Sequence, residues 1–306
     1  MENRLLVSPS PHLKSPENIK SIMIDVLVAL FPAAIAAIIF FRHHALLTML
    51  ICTVAAMLTE AIILRSKNIF GDGSAAVTGL LLAMTLPPAP PWWLCVIGAV
   101  LAIVVGKQVF GGIGNNIFNP ALVGRAVLLV SWTGHMTGWL APVDLTSTAT
   151  PLASPSAASL ADLFFGAVGG SLGETSVLAL LLGAAWLFYR GHINWRIPGG
   201  YLLVVFVMGA FLSGGDNSSM VNGLFHVMTG GVVLAAFFMA TDMVTSPVTP
   251  KGQLIFGLGC GLVTMLVRLY GNYPEGVTFA ILLMNALTPL LDNLTLPRKY
   301  GEVAKS

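Results

Sequence analysis

Uncharged stretches dominate this chain. From Ile22 to Leu291 it runs through about ten apolar segments: 22–41, 45–64, 74–86, 92–109, 120–132, then 175–189, 198–212, 223–240, 254–270 and 277–291. A straight helix needs about 20 apolar residues to cross a bilayer, and most of these runs approach that length. Lipid offers the backbone no hydrogen-bond partners, so only helices or closed barrels can span it. The composition agrees, with 56% hydrophobic and 9% charged residues, against about a quarter charged in soluble domains. The expected fold class is an all-α polytopic membrane protein of about ten transmembrane helices.

Two runs are short. Segments 74–86 and 120–132 are bounded by Pro87-Pro88 and by Asn119-Pro120, which predicts broken or tilted helices. Such breaks are tolerated where the freed backbone groups are buried or line a cavity, and in transporters they surround binding sites. The run from Ile22 is followed by no small-residue cleavage site, so it is expected to be retained.

Basic residues set the expected orientation. With the N-terminus cytoplasmic, Arg4, Lys14, Lys20, Arg65, Lys67, Lys107, Arg125, Arg190, Arg196, Lys251, Arg298, Lys299 and Lys305 share one side, leaving Arg42 and Arg268 opposite. That asymmetry puts both termini inside. The interval from Gly134 to Ser171 has no Lys or Arg and is expected to face outward. The expected divisions are a cytoplasmic segment over 1–21, a five-helix unit over 22–133, an extracytoplasmic loop over 134–173, a second five-helix unit over 174–292, and a cytoplasmic tail over 293–306. Shifting one half onto the other places Gly98 to Lys107 over Gly259 to Arg268 and Phe118 over Phe279. An odd number of spans per half makes the second insert upside down, giving inverted repeats.

Several chemistries are excluded. A net charge of +2 is too small to hold nucleic acid. Cys52, Cys95 and Cys260 lie in apolar runs without ligand spacing and read as packing residues, so no metal site is expected. No Ser-His-Asp, HExxH or Walker pattern is present. Asp25 and Glu60 lie in or near apolar runs, where ionisable groups are functional suspects; each is also close enough to a boundary to be interfacial. Arg42, His43 and His44 are expected in a short outer turn, and Gly71 to Gly79 as a small-residue packing surface.

Three stretches carry the remaining polar chemistry. The first is Asp144-Leu-Thr-Ser-Thr-Ala-Thr150-Pro151, in the longest polar interval. By composition it suits a Ser/Thr/Pro linker, with Pro142, Pro155, Ser154, Ser156 and Ser159 around it. The second runs from Gly111 to Arg125 and includes Asn115, Asn116 and Asn119. Its glycines permit close backbone approach and its amides both donate and accept; as ordinary structure it is a set of turns and an Asn-Pro helix start. The third, Met239 to Pro250, places Asp242 at a helix end, solvated or capping.

The order of Asp144, Ser147, Ala149 and Thr150 resembles the attachment sequence for covalent FMN in the membrane flavoprotein subunits of Rnf complexes and of sodium-pumping NADH:quinone oxidoreductases. The resemblance covers nearly the whole chain, from Ser8-Pro-Ser-Pro-His12 to the last apolar segment. It implies FMN esterified through phosphate to Thr150, attached by a separate flavin transferase using FAD. Thr148 stands where the pattern carries Gly, and Thr146 and Thr148 are competing hydroxyls. It further implies non-covalent riboflavin toward the cytoplasmic side, with Asn115, Asn116 and Asn119 as its neighbours. It assigns no catalytic side chain. The implied function is electron transfer across a prokaryotic cell membrane, coupled to Na+ or H+ translocation. The implied partners are a second covalent-FMN subunit, an NAD-reducing subunit and iron–sulfur subunits. A small-solute channel or transporter, or a structural anchor for redox proteins, would use the same scaffold.

Overall fold

The computed structural model describes residues 18–65, 68–152, 159–212, 218–271 and 276–297. Ser8 to His12, Arg4, Lys14, Lys67, Ser154 to Ser156, Arg298, Lys299 and Lys305 lie outside them. The described residues are helical and carry no strand, only an isolated bridge between Leu140 and Ser147.

The first two apolar runs form α1, Ile19–Leu64, opened by a capping box in which Asn18 and Ser21 exchange hydrogen bonds. At about 1.5 Å per residue, these 46 residues are more than twice the length a bilayer requires. Arg42 divides them, with φ 54° and ψ −133°. The two parts run antiparallel. Met23, near the start, lines the same cavity as Ser74 and Lys107, and Lys107 is also bonded to Glu60, near the end. The Arg42 break therefore lies at the far tip.

α2 (Ser74–Thr85) and α4 (Pro120–Ser131) are short, as the flanking prolines predict. Between them α3 spans Trp92–Val104 and gives way to a 3-10 turn over Gln108–Phe110, ending earlier than the apolar run through Val109. The interval read as an outer loop carries two short helices, α5 (Thr133–Met136) and α6 (Leu160–Phe165). Its last part, from Val168 through Val177, is buried.

α7 (Val177–Tyr189), α8 (Arg196–Leu212), α9 (Ser219–Met228) and α10 (Val232–Leu234) follow, and α10 continues as a π-helical turn over Ala235–Met239. The single run expected over 223–240 is thus bent, by 65° between α9 and α10. The cause is Gly230-Gly231, both with left-handed φ near 65°, a conformation costly for any residue with a Cβ. α11 (Pro250–Tyr270) and α12 (Val277–Thr295) complete the chain. Among the described residues, four helices are long and apolar enough to cross a membrane, five when the bent pair is one span.

Packing explains which faces turn inward. In the first part of α1 the buried positions include Ala29, Ala33 and Ala37, while Phe31, Ile35 and Ile39 are exposed. That inversion of the soluble pattern is expected where bulky apolar groups face lipid and small ones let helices approach. Gly183 of α7 shows the limit: a Cβ there would collide with the Ala29 carbonyl. α1 packs on α2, α3 and α7, α8 on α9 and α11, and α11 on α12.

Candidate functional site

A cavity lies where the start of α1, the N-termini of α2 and α4, the turn after α3, and the segments around His192 and Asp242 converge. Its empty space is about 780 Å³, its open mouth included. Phe237, Phe238, Ile113 and Leu187 form apolar walls, and Ser74, Lys107, Asn116, Asn119, His192 and Asp242 supply polar groups.

Asn116 and Asn119 both reach this cavity and both are buried. Asn119 is the N-cap of α4: its Oδ1 accepts from the N–H groups of Ala121 (3.1 Å) and Leu122 (3.4 Å), and its Nδ2 donates to the Met239 carbonyl (3.2 Å). The capping role and the site role therefore fall on one side chain. Asn116 Nδ2 donates to the Phe118 carbonyl at 3.2 Å. Asn115 is exposed, beside the Gly111 carbonyl, and does not line the cavity.

Buried ion pairs brace two walls. Lys107 is bonded to Glu60 and to the Ser74 hydroxyl, and Gln108 donates to Glu60 at 2.9 Å. Asp25 Oδ2 accepts from Arg190 Nε (2.9 Å) and from His192 Nε2 (2.8 Å). Asp25 and Glu60 are both buried, and each has a cation to offset its desolvation. Lys107 and Arg125 are likewise buried, and Arg268 is half-buried. Asp242 accepts from the Val244 N–H and the Thr245 hydroxyl, and burial pushes its carboxyl above the usual carboxylate range.

Thr150 lies elsewhere. Residues 139–148 form a compact turn, with Ala141 N–H to the Thr146 carbonyl (2.8 Å) and Thr148 N–H to the Trp139 carbonyl (3.1 Å). Val143 and Leu145 take left-handed φ values of 71° and 55°. Val143 N–H donates to the Phe40 carbonyl at 3.0 Å, tying the turn to the tip of α1. Asp144, Ser147 and Ala149 are exposed, whereas Thr150 is buried, with 3% of its surface accessible. Leu152 packs against Gly230 and the Thr148 methyl against Gly169.

A second, smaller cavity is lined by Thr85, Arg125, Ser171, Gly230 and Thr278. Beside it Glu174 accepts the Gly230 N–H, the backbone N–H preceding the bend. Burial pushes the Glu174 carboxyl up, while the Gly230 N–H and the Arg268 charge pull it down. Arg268 donates to the carbonyls of His226 (2.7 Å), Thr229 (2.8 Å) and Gly230 (3.2 Å). Arg125 donates to the Thr85 carbonyl at 2.5 Å, and Leu172 and Gly173 N–H groups cap the Leu86 and Met84 carbonyls. The C-terminus of α2 is thereby satisfied without water.

Sequence reasoning misses Glu174 and His192. A carboxylate inside the Gly/Ser-rich run Gly169 to Ser176, comparable to Asp72 within Gly71 to Ser74, is the available signal for the first. His192 follows Arg190 by two residues and has no signal of its own.

These features define a multi-pass, all-helical membrane protein with an internal polar cavity and broken helices. The NQR2, RnfD, RnfE family model matches residues 6–301, and the chain belongs to that family. It is 48% identical to the D subunit of the Na(+)-translocating ferredoxin:NAD(+) oxidoreductase complex of Acetobacterium woodii, over 98% of this chain and 96% of that protein. It is 43% identical to the D subunit of the proton-translocating ferredoxin:NAD(+) oxidoreductase complex of Clostridium ljungdahlii, over 98% and 97%. Identity to the D subunit of the ion-translocating oxidoreductase complex of Stutzerimonas stutzeri is 39%, over 94% of each chain.

Proposed function

We propose that this chain is the membrane flavoprotein subunit of an ion-translocating ferredoxin:NAD oxidoreductase complex in a prokaryotic cell membrane. In this reading FMN is esterified to Thr150 on the outer side and a non-covalent flavin, riboflavin by family resemblance, occupies the cavity at Asn116 and Asn119. Both termini are cytoplasmic, and the helices form two inverted five-helix repeats. The partners are the other Rnf subunits, among them a second covalent-FMN subunit, the NAD-reducing subunit and iron–sulfur subunits, together with a flavin transferase during maturation. Flavins supply the one-electron and two-electron chemistry, and the protein supplies position and electrostatics.

One observation carries the reading. The two proposed sites stand at opposite ends of the first part of α1: Met23 lines the cavity, and Phe40 holds the turn that leads to Thr150. Seventeen residues of helix separate them, about 26 Å at 1.5 Å per residue, close to the roughly 30 Å of a bilayer core. The apolar walls and amide-bearing rim of the cavity fit a flat aromatic ring with polar edges. Asn116 and Asn119 orient such a ring, and Phe237 and Phe238 help keep water from it. Thr150 is buried, so the transferase must reach its hydroxyl before the turn over 139–152 closes. A pair of comparable contacts, one in each half, supports the repeat reading. Ser74, at the start of α2, meets the Lys107–Glu60 pair, and Gly230, before α10, meets Glu174 and Arg268. The coupled ion is Na+ or H+; relatives named for each occur at similar identity.

The test is covalent fluorescence. Denatured protein made with the transferase should fluoresce in a gel, and Thr150→Val should abolish the signal. Persistence in Thr150→Val would move the attachment to another hydroxyl, Thr146 or Thr148 first. A dark wild-type band would favour a channel or an anchoring role.

A further inference from the structure

Asp25, Arg190 and His192 form a line from the surface to the large cavity. Arg190 ends α7 with its side chain 41% exposed, while the side chains of Asp25 and His192 are 11% and 7% exposed. Gly191, with φ 73°, turns the chain so that Arg190 and His192 converge on one carboxylate oxygen. The bond to Asp25 engages His192 Nε2 and leaves Nδ1 for an occupant of the cavity that the ring lines. A carboxylate on one imidazole nitrogen fixes the tautomer and the orientation of the ring, an arrangement suited to acid–base work.

We infer that His192 donates the proton that accompanies reduction of the cavity's occupant, with Asp25 as its positioning residue. The inference rests on reading that occupant as a flavin. The electron comes from a one-electron donor of the complex, a flavin or an iron–sulfur centre. The N–H bond at His192 Nδ1 breaks and an N–H bond forms on a ring nitrogen of the occupant. His192 becomes neutral, still donating Nε2–H to Asp25, and water at the cavity mouth returns a proton to Nδ1.

The neighbouring groups are less suited. Lys107 is committed to Glu60 and Ser74, and Asp242 accepts from Val244 and Thr245. The charged groups around His192 are Asp25, to which it is bonded, Arg190 on the same carboxylate, and Asp242 and Lys107 in the cavity wall.

The test uses the purified complex with His192→Gln and Asp25→Asn. Non-covalent flavin is first counted by acid extraction, and its reduction is then followed by stopped-flow absorbance across pH in H2O and D2O. His192→Gln should keep the flavin, slow its reduction at least tenfold, and erase the pH dependence and solvent isotope effect. Asp25→Asn should keep the flavin and slow its reduction while retaining a solvent isotope effect. In complex stripped of non-covalent flavin, histidine NMR should show His192 as a single tautomer in the wild type and as a mixture in Asp25→Asn; a single unchanged tautomer in the variant would overturn the positioning role of Asp25. An unchanged rate and isotope effect in flavin-loaded His192→Gln would overturn the role of His192 alone. Absence of extractable flavin in the wild type would overturn the cavity assignment and this inference with it.

Discussion

Glu174 accepts a hydrogen bond from the backbone N–H of Gly230, 56 positions away in the sequence. The contact joins the segment between the two halves to the bend between α9 and α10, and Arg268 holds the adjoining carbonyls. A carboxylate is well placed there, because the start of a helix presents unpaired N–H groups.

Burial raises the Glu174 carboxyl above its ordinary value of 4.5, so the folded protein binds this proton more tightly than the unfolded chain. The contribution of Glu174 to stability should therefore decline as pH rises from about 4.5 toward the raised folded value. Thermal unfolding of detergent-solubilised protein across that range should show the decline, and Glu174→Gln should flatten it. An identical pH profile in the variant would remove Glu174 as the cause.

Lys107→Met should destabilise the fold by about 3–5 kcal/mol, because Glu60 is left charged and buried. The double variant Lys107→Met with Glu60→Met should recover much of that loss. Unfolding in a denaturant series checks both, and a double variant no better than the single would show that the pair is not coupled.

Asn119→Ala should cost about 1 kcal/mol through loss of the α4 cap and should also reduce extractable flavin. Asn119→Ser keeps a capping oxygen and lacks the amide that reaches Met239. It should therefore restore stability without restoring flavin. Restoration of both would confine Asn119 to capping.

Gly183→Ala should cost about 1–3 kcal/mol by overpacking α1 against α7, since its Cβ meets the Ala29 backbone. Gly134→Ala, where a Cβ meets nothing within 4 Å, is the control and should not lower the unfolding temperature.

The helices are legible because apolar length and proline position are local properties. Each apolar run is helical, although the first two join in α1 and the run over 223–240 is bent, and the Pro87-Pro88 and Asn119-Pro120 breaks mark real ends. What the runs conceal is pairing at long separation. Nothing beside Glu60 points to Lys107, and nothing beside Asp25 points to His192, so the partners of both carboxylates show only when the helices are packed. The Gly230-Gly231 bend is hidden for another reason: two glycines within an apolar stretch keep its hydropathy high while releasing its backbone. Asn115, Asn116 and Asn119 are equivalent as residue types. Only the fold separates the exposed Asn115 from the two that line the cavity.

The stretch around Leu172 and Gly173 supplies the N–H groups that close the C-terminus of α2. It is therefore part of the first half's interior even though it leads into the second. Swapping this connector for a flexible tether, or producing the halves as separate polypeptides cut just before it, would strip Met84 and Leu86 of their donors in a region with no solvent to replace them. Any chimera built from two relatives should keep residues 168–177 with the α2 they complete.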